Sequence, residues 1–308
     1  MTINKKKKSI SPTAVIIAVF LIAYTLIMFF FLYLGFITSL KTETDFVSHS
    51  NHFGIPRDFY EKTLAPWNWE WGNFLKVTKY FDQYDLERNG LIISYMPFGT
   101  MVWYTILYAG VGAFIATLCP CIVAYATSKF NYKFNVVLDT ICIVTMIIPV
   151  VGSSMSMVSV LYQLNIYDTF IALFLQKFYF ANMYYLMFSA IFKGVSKEYY
   201  EAAHIDGASE LTVMIKIAFP LVATSFGLIF LLYFISFWND YTTLMLYAPS
   251  HPTIAYALYR VVFLSTKELN NETVKMAGCV IIVVPVIILF IIFRNKIMGN
   301  LTIGGVKE

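Results

Sequence analysis

The chemically densest stretch of this chain is Ser196-Lys197-Glu198-Tyr199-Tyr200-Glu201-Ala202-Ala203-His204-Ile205-Asp206-Gly207-Ala208-Ser209-Glu210, continuing to Ile217-Ala218-Phe219-Pro220. It holds acids and a histidine, but catalysis would need paired carboxylates or a histidine cluster converging on one cavity. No such set occurs; His204 and His251 fall in different loops. The stretch reads instead as a mechanical element. Ser196 suits a helix N-cap, and Glu198 and Glu201 lie near the positive end of the helix dipole. Ala202 and Ala203 keep one face small, and Asp206-Gly207 turns the chain sharply. Leu211, Met214, Ile215 and Ala218 then recur at helical spacing, and Pro220 suits the first turn of a following span. Helix, turn and second helix make a shape that fits a groove on another protein.

Other reactive residue types point to less. Cys119-Pro120-Cys121 lacks the two-residue gap of a redox or zinc pair. With Cys142 and Cys279 it lies in apolar sequence, where thiols behave as small hydrophobes. His49 and His52 in the outer segment make too weak a site for a metal ligand set to be expected. No Gly-Lys-Ser/Thr phosphate loop is present, so ATP is not expected to bind this chain in the P-loop manner.

The elements that must carry these residues follow from composition. Of 308 residues, 59% are hydrophobic and 13% charged, against about 25% charged in soluble domains. Uncharged or nearly uncharged runs cover residues 14–40, 98–127, 140–161, 178–192, 217–238 and 276–293. Since about 20 apolar residues cross the hydrocarbon layer, the expected fold is an all-α membrane protein with six transmembrane helices. The first run is too long and aromatic for a cleaved signal, whose apolar part is about 7–15 residues. Lys5 to Lys8, Lys129, Lys133, Lys193, Lys197, Lys216, Arg294, Lys296 and Lys307 fall on one side of such a topology. Basic loops favour the cytoplasm, so both termini and the Ser196–Pro220 loop are expected there. The expected organisation is a basic tail (1–13), a first span (14–40), an extracellular segment (41–97), a membrane core (98–295) and a cytoplasmic tail (296–308). The net charge of +4 is spread over loops rather than gathered on one face, which excludes a nucleic-acid surface.

Small residues Ala109, Gly112, Ala113 and Ala116 in the second span signal close helix packing. Trp67, Trp69 and Trp71 in the outer segment could stack on sugar rings or anchor the chain at the membrane interface. Polar groups that could line a path through the bundle are Ser153, Ser154 and Ser156 after Pro149, then Asn182, Tyr184 and Tyr185, then Trp238, Asn239 and Asp240. Intramembrane charge is costly, which draws attention to Lys177 and Asp240, although both fall near span ends.

The spacing from Glu201 to Pro220 carries a family resemblance. Glu-Ala-Ala, three residues, Gly, nine residues, Ile, one residue, an apolar residue and Pro are all matched, with Phe219 in place of the common Leu. The loop resembles the coupling loop of binding-protein-dependent ABC importer permeases. Phe237-Trp238-Asn239-Asp240-Tyr241 and the Gly-rich ending from Gly299 to Glu308 are similar to that family's carbohydrate branch. The resemblance implies a transport subunit rather than an enzyme, moving a sugar by alternating access in a bacterial or archaeal cell membrane. It implies a second permease subunit (a heterodimer), an extracellular solute-binding protein, membrane lipid, and two cytoplasmic ATPases holding ATP and Mg. Glu201, Ala202, Ala203, Asp206, Gly207, Ala208 and Leu211 would dock into the ATPase. Reversing a 99:1 preference between two states takes about 5.5 kcal/mol of differential binding, more than a sugar in a pore supplies. A non-sugar cargo within the family, or a channel or receptor, are the alternatives.

Overall fold

The structure is a computed structural model that describes residues 11–48, 50–57, 65–82, 84–88, 91–130, 132–148, 152–263 and 271–299. The Lys5–Lys8 cluster, His49, Pro149 and the ending from Asn300 lie outside the described residues. The chain divides into two compact units, Met1–Lys79 with Ser265–Ile281, and Tyr80–Leu264 with Ile282–Glu308. The expected outer segment, 41–97, is therefore shared between the two.

In the first unit, α1 (Pro12–Ser39) starts with Pro12 at its first turn and the Ser11 hydroxyl accepting from the Ala14 amide. It is apolar on every side, and residues 11–33 are all exposed within this chain. Twenty-eight residues span about 42 Å at 1.5 Å each, enough to cross a bilayer with tilt. Beyond α1 the chain is knitted by polar groups. The buried Lys41 donates to the carbonyls of Asn51 (2.6 Å) and His52 (3.3 Å). Burial holds its ammonium below the ordinary lysine range, with Asp45 opposing. Asn73, in α2 (Gly72–Asp82), ties the end of α1 by donating to the carbonyls of Ser39 and Lys41.

The second unit opens on a short hairpin, and its other described elements are helical, in keeping with the all-α expectation. Strands β1 (Tyr84–Arg88) and β2 (Leu91–Met96) form an antiparallel hairpin with a register shift between Leu86 and Glu87. Helix α3 (Phe98–Lys129) follows and is the central span. Its stripe of Ala109, Gly112, Ala113 and Ala116 lets neighbours approach closely, as expected. A β-carbon on Gly112 would lie 3.2 Å from the Phe237 ring.

Four described helices are long and apolar enough to cross a membrane: α1, α3, the stretch Glu210–Trp238 and the stretch Glu272–Arg294 of α13 (Glu272–Gly299). The other two expected runs fall on shorter helices. The run 140–161 becomes α4 (Phe134–Ile147) and α5 (Ser153–Gln163), with Gly152 in the left-handed region at φ 79° ahead of α5. The run 178–192 becomes α7 (Met183–Lys193), preceded by the short α6 (Phe170–Leu175). Asn182 starts α7 by accepting from the amides of Tyr184 (3.0 Å) and Tyr185 (3.2 Å), a cap that a run of apolar letters conceals.

The remaining pieces follow in order: α8 (Lys197–Ile205), α9 (Glu210–Val213), a π turn (Met214–Ala218), α10 (Phe219–Trp238), α11 (Thr242–Tyr247) and α12 (Ile254–Phe263). At one end the turn between α5 and α6 joins the loop after α11. The Asp168 amide donates to the Tyr247 carbonyl (3.0 Å), and its carboxylate accepts from the Ser250 amide (2.9 Å) and faces His251 Nδ1 (3.4 Å). Burial alone would raise the Asp168 pKa, but these hydrogen bonds hold it below the ordinary carboxylate value.

Candidate functional site

Helix α8 is capped at both ends as its residues dictate. The Ser196 hydroxyl accepts from the Glu198 amide (3.3 Å) at the start. At the end, Asp206 is the C-cap and Gly207 takes φ 78°. The Gly207 amide donates to the His204 carbonyl (3.0 Å), and the Ala208 amide to the Ala203 carbonyl (2.9 Å). This pair of bonds is a Schellman closure, which satisfies the last carbonyls and needs a residue that tolerates the left-handed region. Ser209 then caps the next helix, accepting from the Thr212 amide at 3.4 Å.

That next helix is not a separate piece. From Glu210 to Trp238 the chain is one helix of 29 residues. Pro220 lies in the first turn of α10, as expected, but α10 continues from the π turn below it. The proline has no N–H, and its ring crowds the carbonyl four residues back. The Phe219 amide reaches back five residues to Met214, and this widened turn accommodates the ring.

The two faces of α8 differ. Tyr200 and Ala203, three residues apart, turn inward and join a buried cluster with Tyr125, Phe192 and Val213. Tyr199, Ala202 and Ile205, on the other face, point outward; Tyr199 is 59% and Ile205 86% exposed. Glu201, Asp206 and Gly207 are exposed, Ala208 is half-buried, and Leu211 is 62% exposed. Ala203 therefore stands apart from the other residues expected to dock: its methyl is part of the packing that seats the loop. Tyr199 and Ile205 belong to the outward face and were not singled out from sequence, although their i, i+3 spacing with Ala202 signals it.

The loop is held from behind by Lys129, the last residue of α3. Its ammonium pairs with the Glu210 carboxylate and lies 3.2 Å from His204 Nε2. It also sits 5.7, 5.4 and 5.2 Å from the ring centres of Tyr125, Phe130 and Tyr200. His204 Nε2 also lies 3.3 Å from Glu210 Oε1, and its Nδ1 lies 3.2 Å from the Ala208 carbonyl oxygen. Burial raises the pKa of the Tyr200 phenol, with Lys129 pulling against it.

The polar groups expected along a path through the bundle separate into two sets. Ser153, Ser154 and Ser156 are exposed on the first turn of α5. Tyr184 is half-buried, its ring edge-on to Tyr233 at 5.0 Å, and Asn239 is exposed although its amide donates to the Ile235 carbonyl at 2.8 Å. The others have internal partners. Asn182 caps α7. Tyr185 is buried; its hydroxyl lies 2.6 Å from the Asp139 carboxylate and 3.1 Å from Thr127 Oγ1, joining α3, α4 and α7. Trp238 donates to the Ile282 carbonyl at 3.1 Å. Asp240 accepts from the Tyr108 hydroxyl (2.7 Å) and the Thr243 amide (3.0 Å). Lys177 is buried, with its ammonium 4.1 Å from the centre of the Phe237 ring and 5.3 Å from that of Tyr108. A cavity of about 500 Å³ between α3 and α10, bounded by Phe114, Leu118, Phe219 and Phe226, is lined by none of these polar residues.

Residues 116–298 match the family described as binding-protein-dependent transport system inner membrane component. The chain is 27% identical over 238 residues to the arabinooligosaccharides transport system permease protein AraQ of Halalkalibacterium halodurans, covering 75% of this chain and 83% of that one. It is 24% identical over 215 residues to the sulfoquinovosyl glycerol transport system permease protein SmoH of Agrobacterium fabrum, covering 70% and 75%. Among solved structures, a chain of a bacterial ABC transporter involved in the import of the acidic polysaccharide alginate shares the fold. The TM-score is 0.72 at 22% identity, over 94% of this chain and 99% of that one.

Proposed function

This chain belongs to the binding-protein-dependent transport system inner membrane component family, and from that premise we propose that it is the permease subunit of an ATP-driven importer of a sugar or oligosaccharide. Relatives named for sugar and oligosaccharide transport support the cargo class. In this reading the chain crosses a bacterial or archaeal cell membrane six times with both ends in the cytoplasm. The fragments α4–α5 and α6–α7 fill the places of the third and fourth spans. A second permease subunit completes the path, an external binding protein delivers the solute, and two ATPases bind ATP and Mg in the cytoplasm.

The outward face of the Ser196–Leu211 loop is the observation that carries this reading. Tyr199, Ala202, Ile205 and Leu211 form an apolar surface beside the open Gly207 turn, on a loop whose spacing matches the family's coupling loop. Glu201 and Asp206 flank it with negative charge. Docked there, an ATPase that closes on ATP would displace the loop and shift the bundle between inward-open and outward-open states, a rigid-body switch. Ser153, Ser154, Ser156 and Tyr184 are the groups that would meet sugar, with Asn239 exposed beside them but donating to the Ile235 carbonyl at 2.8 Å, while Asn182, Tyr185, Trp238 and Asp240 hold the walls in place.

The test is Ile205→Glu. At 86% exposure this change leaves stability within about 0.5 kcal/mol, so the chain still reaches the membrane. Placing a carboxylate in an apolar contact should lower co-purification of the ATPase at least ~10-fold, and solute uptake with it. Full ATPase binding by the variant would end this assignment of the loop.

A further inference from the structure

We propose that Lys129 is a positioning residue that couples the docking loop to α3, so that force applied to α8 and α9 reaches the central span as well as the helices on either side of the loop. The proposal rests on the importer reading given above. Along the chain, the loop is continuous with α7 on one side and α10 on the other. Helix α3 has no such link, since 67 residues separate Lys129 from Ser196. Whatever the loop does to α3 must pass through non-covalent contacts.

Besides the apolar packing of Tyr200 and Ala203 with Tyr125 of α3, the polar contacts converge on one ammonium. Lys129 pairs with Glu210, the first residue of α9, and reaches His204, in the last turn of α8. A single side chain thus touches both sides of the Gly207 turn. It is also enclosed by Tyr125 and Phe130 from its own end of the chain and by Tyr200 from α8. Only 11% of the Lys129 side chain is exposed, against 54% of Glu210, so the rings shield the cation while its carboxylate partner still meets solvent. Cation–π contacts gain strength where water is excluded.

The end of α3 is in turn fixed to its neighbours. The Thr127 hydroxyl meets Tyr185 of α7 at 3.1 Å, and Asn135 of α4 donates to the Thr127 and Phe130 carbonyls at 2.8 and 2.5 Å. A displacement of Lys129 therefore moves a junction of three helices rather than a frayed end. The outward docking face and the surface that meets the Lys129 ammonium lie on opposite sides of the same short loop. That separation allows docking and transmission to be broken independently.

The experiment uses the assembled transporter in proteoliposomes, comparing solute moved per ATP hydrolysed for Lys129→Met, Lys129→Arg, Lys129→Glu and the exchange pair Lys129→Glu with Glu210→Lys. Lys129→Met should keep ATPase assembly and hydrolysis while solute moved per ATP falls roughly 10-fold, within the usual range of coupling between sites. Lys129→Arg should retain most coupling, and the exchange pair should transport better than Lys129→Glu alone. Parallel loss of assembly and uptake in Lys129→Met, an unchanged ratio, or no rescue by the exchange pair would each overturn the proposal. If the unaltered complex shows no ATP-driven uptake at all, the importer reading itself fails, and this coupling role falls with it.

Discussion

Gly207 offers a substitution series in which backbone strain and docking can be read apart. At φ 78° its conformation disfavours any residue with a β-carbon, by about 1–2 kcal/mol. Within the chain, however, a β-carbon there would meet nothing within 4 Å. The local effect of a substitution is thus conformational rather than steric. Asparagine tolerates the left-handed region best among the non-glycine residues, so Gly207→Asn should leave the Ala208–Ala203 closure intact. Gly207→Val, stiff and β-branched, should weaken that closure by about 2 kcal/mol or more, roughly 30-fold in the local opening equilibrium. Amide exchange at Ala208 reads this directly. If the turn lies against an ATPase, both variants also place a new side chain in the interface, and both should lose ATPase co-purification by ~10-fold or more. Wild-type assembly and uptake by Gly207→Asn, with failure of Gly207→Val alone, would mean that the glycine serves backbone geometry only. Normal behaviour of both would refute docking through this turn.

Two further outcomes follow from internal contacts. Tyr185→Phe removes the hydroxyl between Asp139 and Thr127 and should lower stability by about 1.5–3 kcal/mol, as for a hydrogen bond to a charged group; denaturation in detergent equal to wild type would show that the hydroxyl contributes nothing. The Asp168 pKa is held below its ordinary 3.8, so the folded state favours the ionised form; its contribution is full above that value and drains away as pH falls through the depressed pKa. Exchange at the Ser250 amide, which donates to this carboxylate, should therefore stay protected to lower pH than an ordinary carboxylate would allow, and Asp168→Asn should flatten that dependence.

The long helices were legible because apolar length alone specifies them. The runs 14–40, 98–127, 217–238 and 276–293 each lie within or closely overlap a helix long enough to span. The loop was legible for a different reason: its capping and turn residues are local, so Ser196, Asp206 and Gly207 act where they stand. What the sequence hid depends on distance or on backbone angle. In residues 140–161 the polarity does not change, so only the helix-breaking types Pro149 and Gly152, the latter at positive φ, mark the division into α4 and α5. Ala202 and Ala203 are the same letter, and only packing against Tyr125 and Phe192 sends one inward. Lys129 read as a topological charge because its partners lie 75 and 81 residues away. Tyr185 and Trp238 looked available to sugar because aromatic polar atoms advertise hydrogen-bonding capacity without revealing who uses it.

The helix from Glu210 to Trp238 is the feature with the widest reach. At 29 residues it is about 43 Å long, with the Lys129 contact at its foot and the Trp238–Ile282 bond at its head. Such a connecting rod carries one joint near its foot, the widened turn at Met214–Ala218 beside Pro220, and above it runs as a regular helix to Trp238. If the proposed docking at the loop holds, a displacement at the foot of this helix and the position of Trp238 at its head would be tied together through one continuous element.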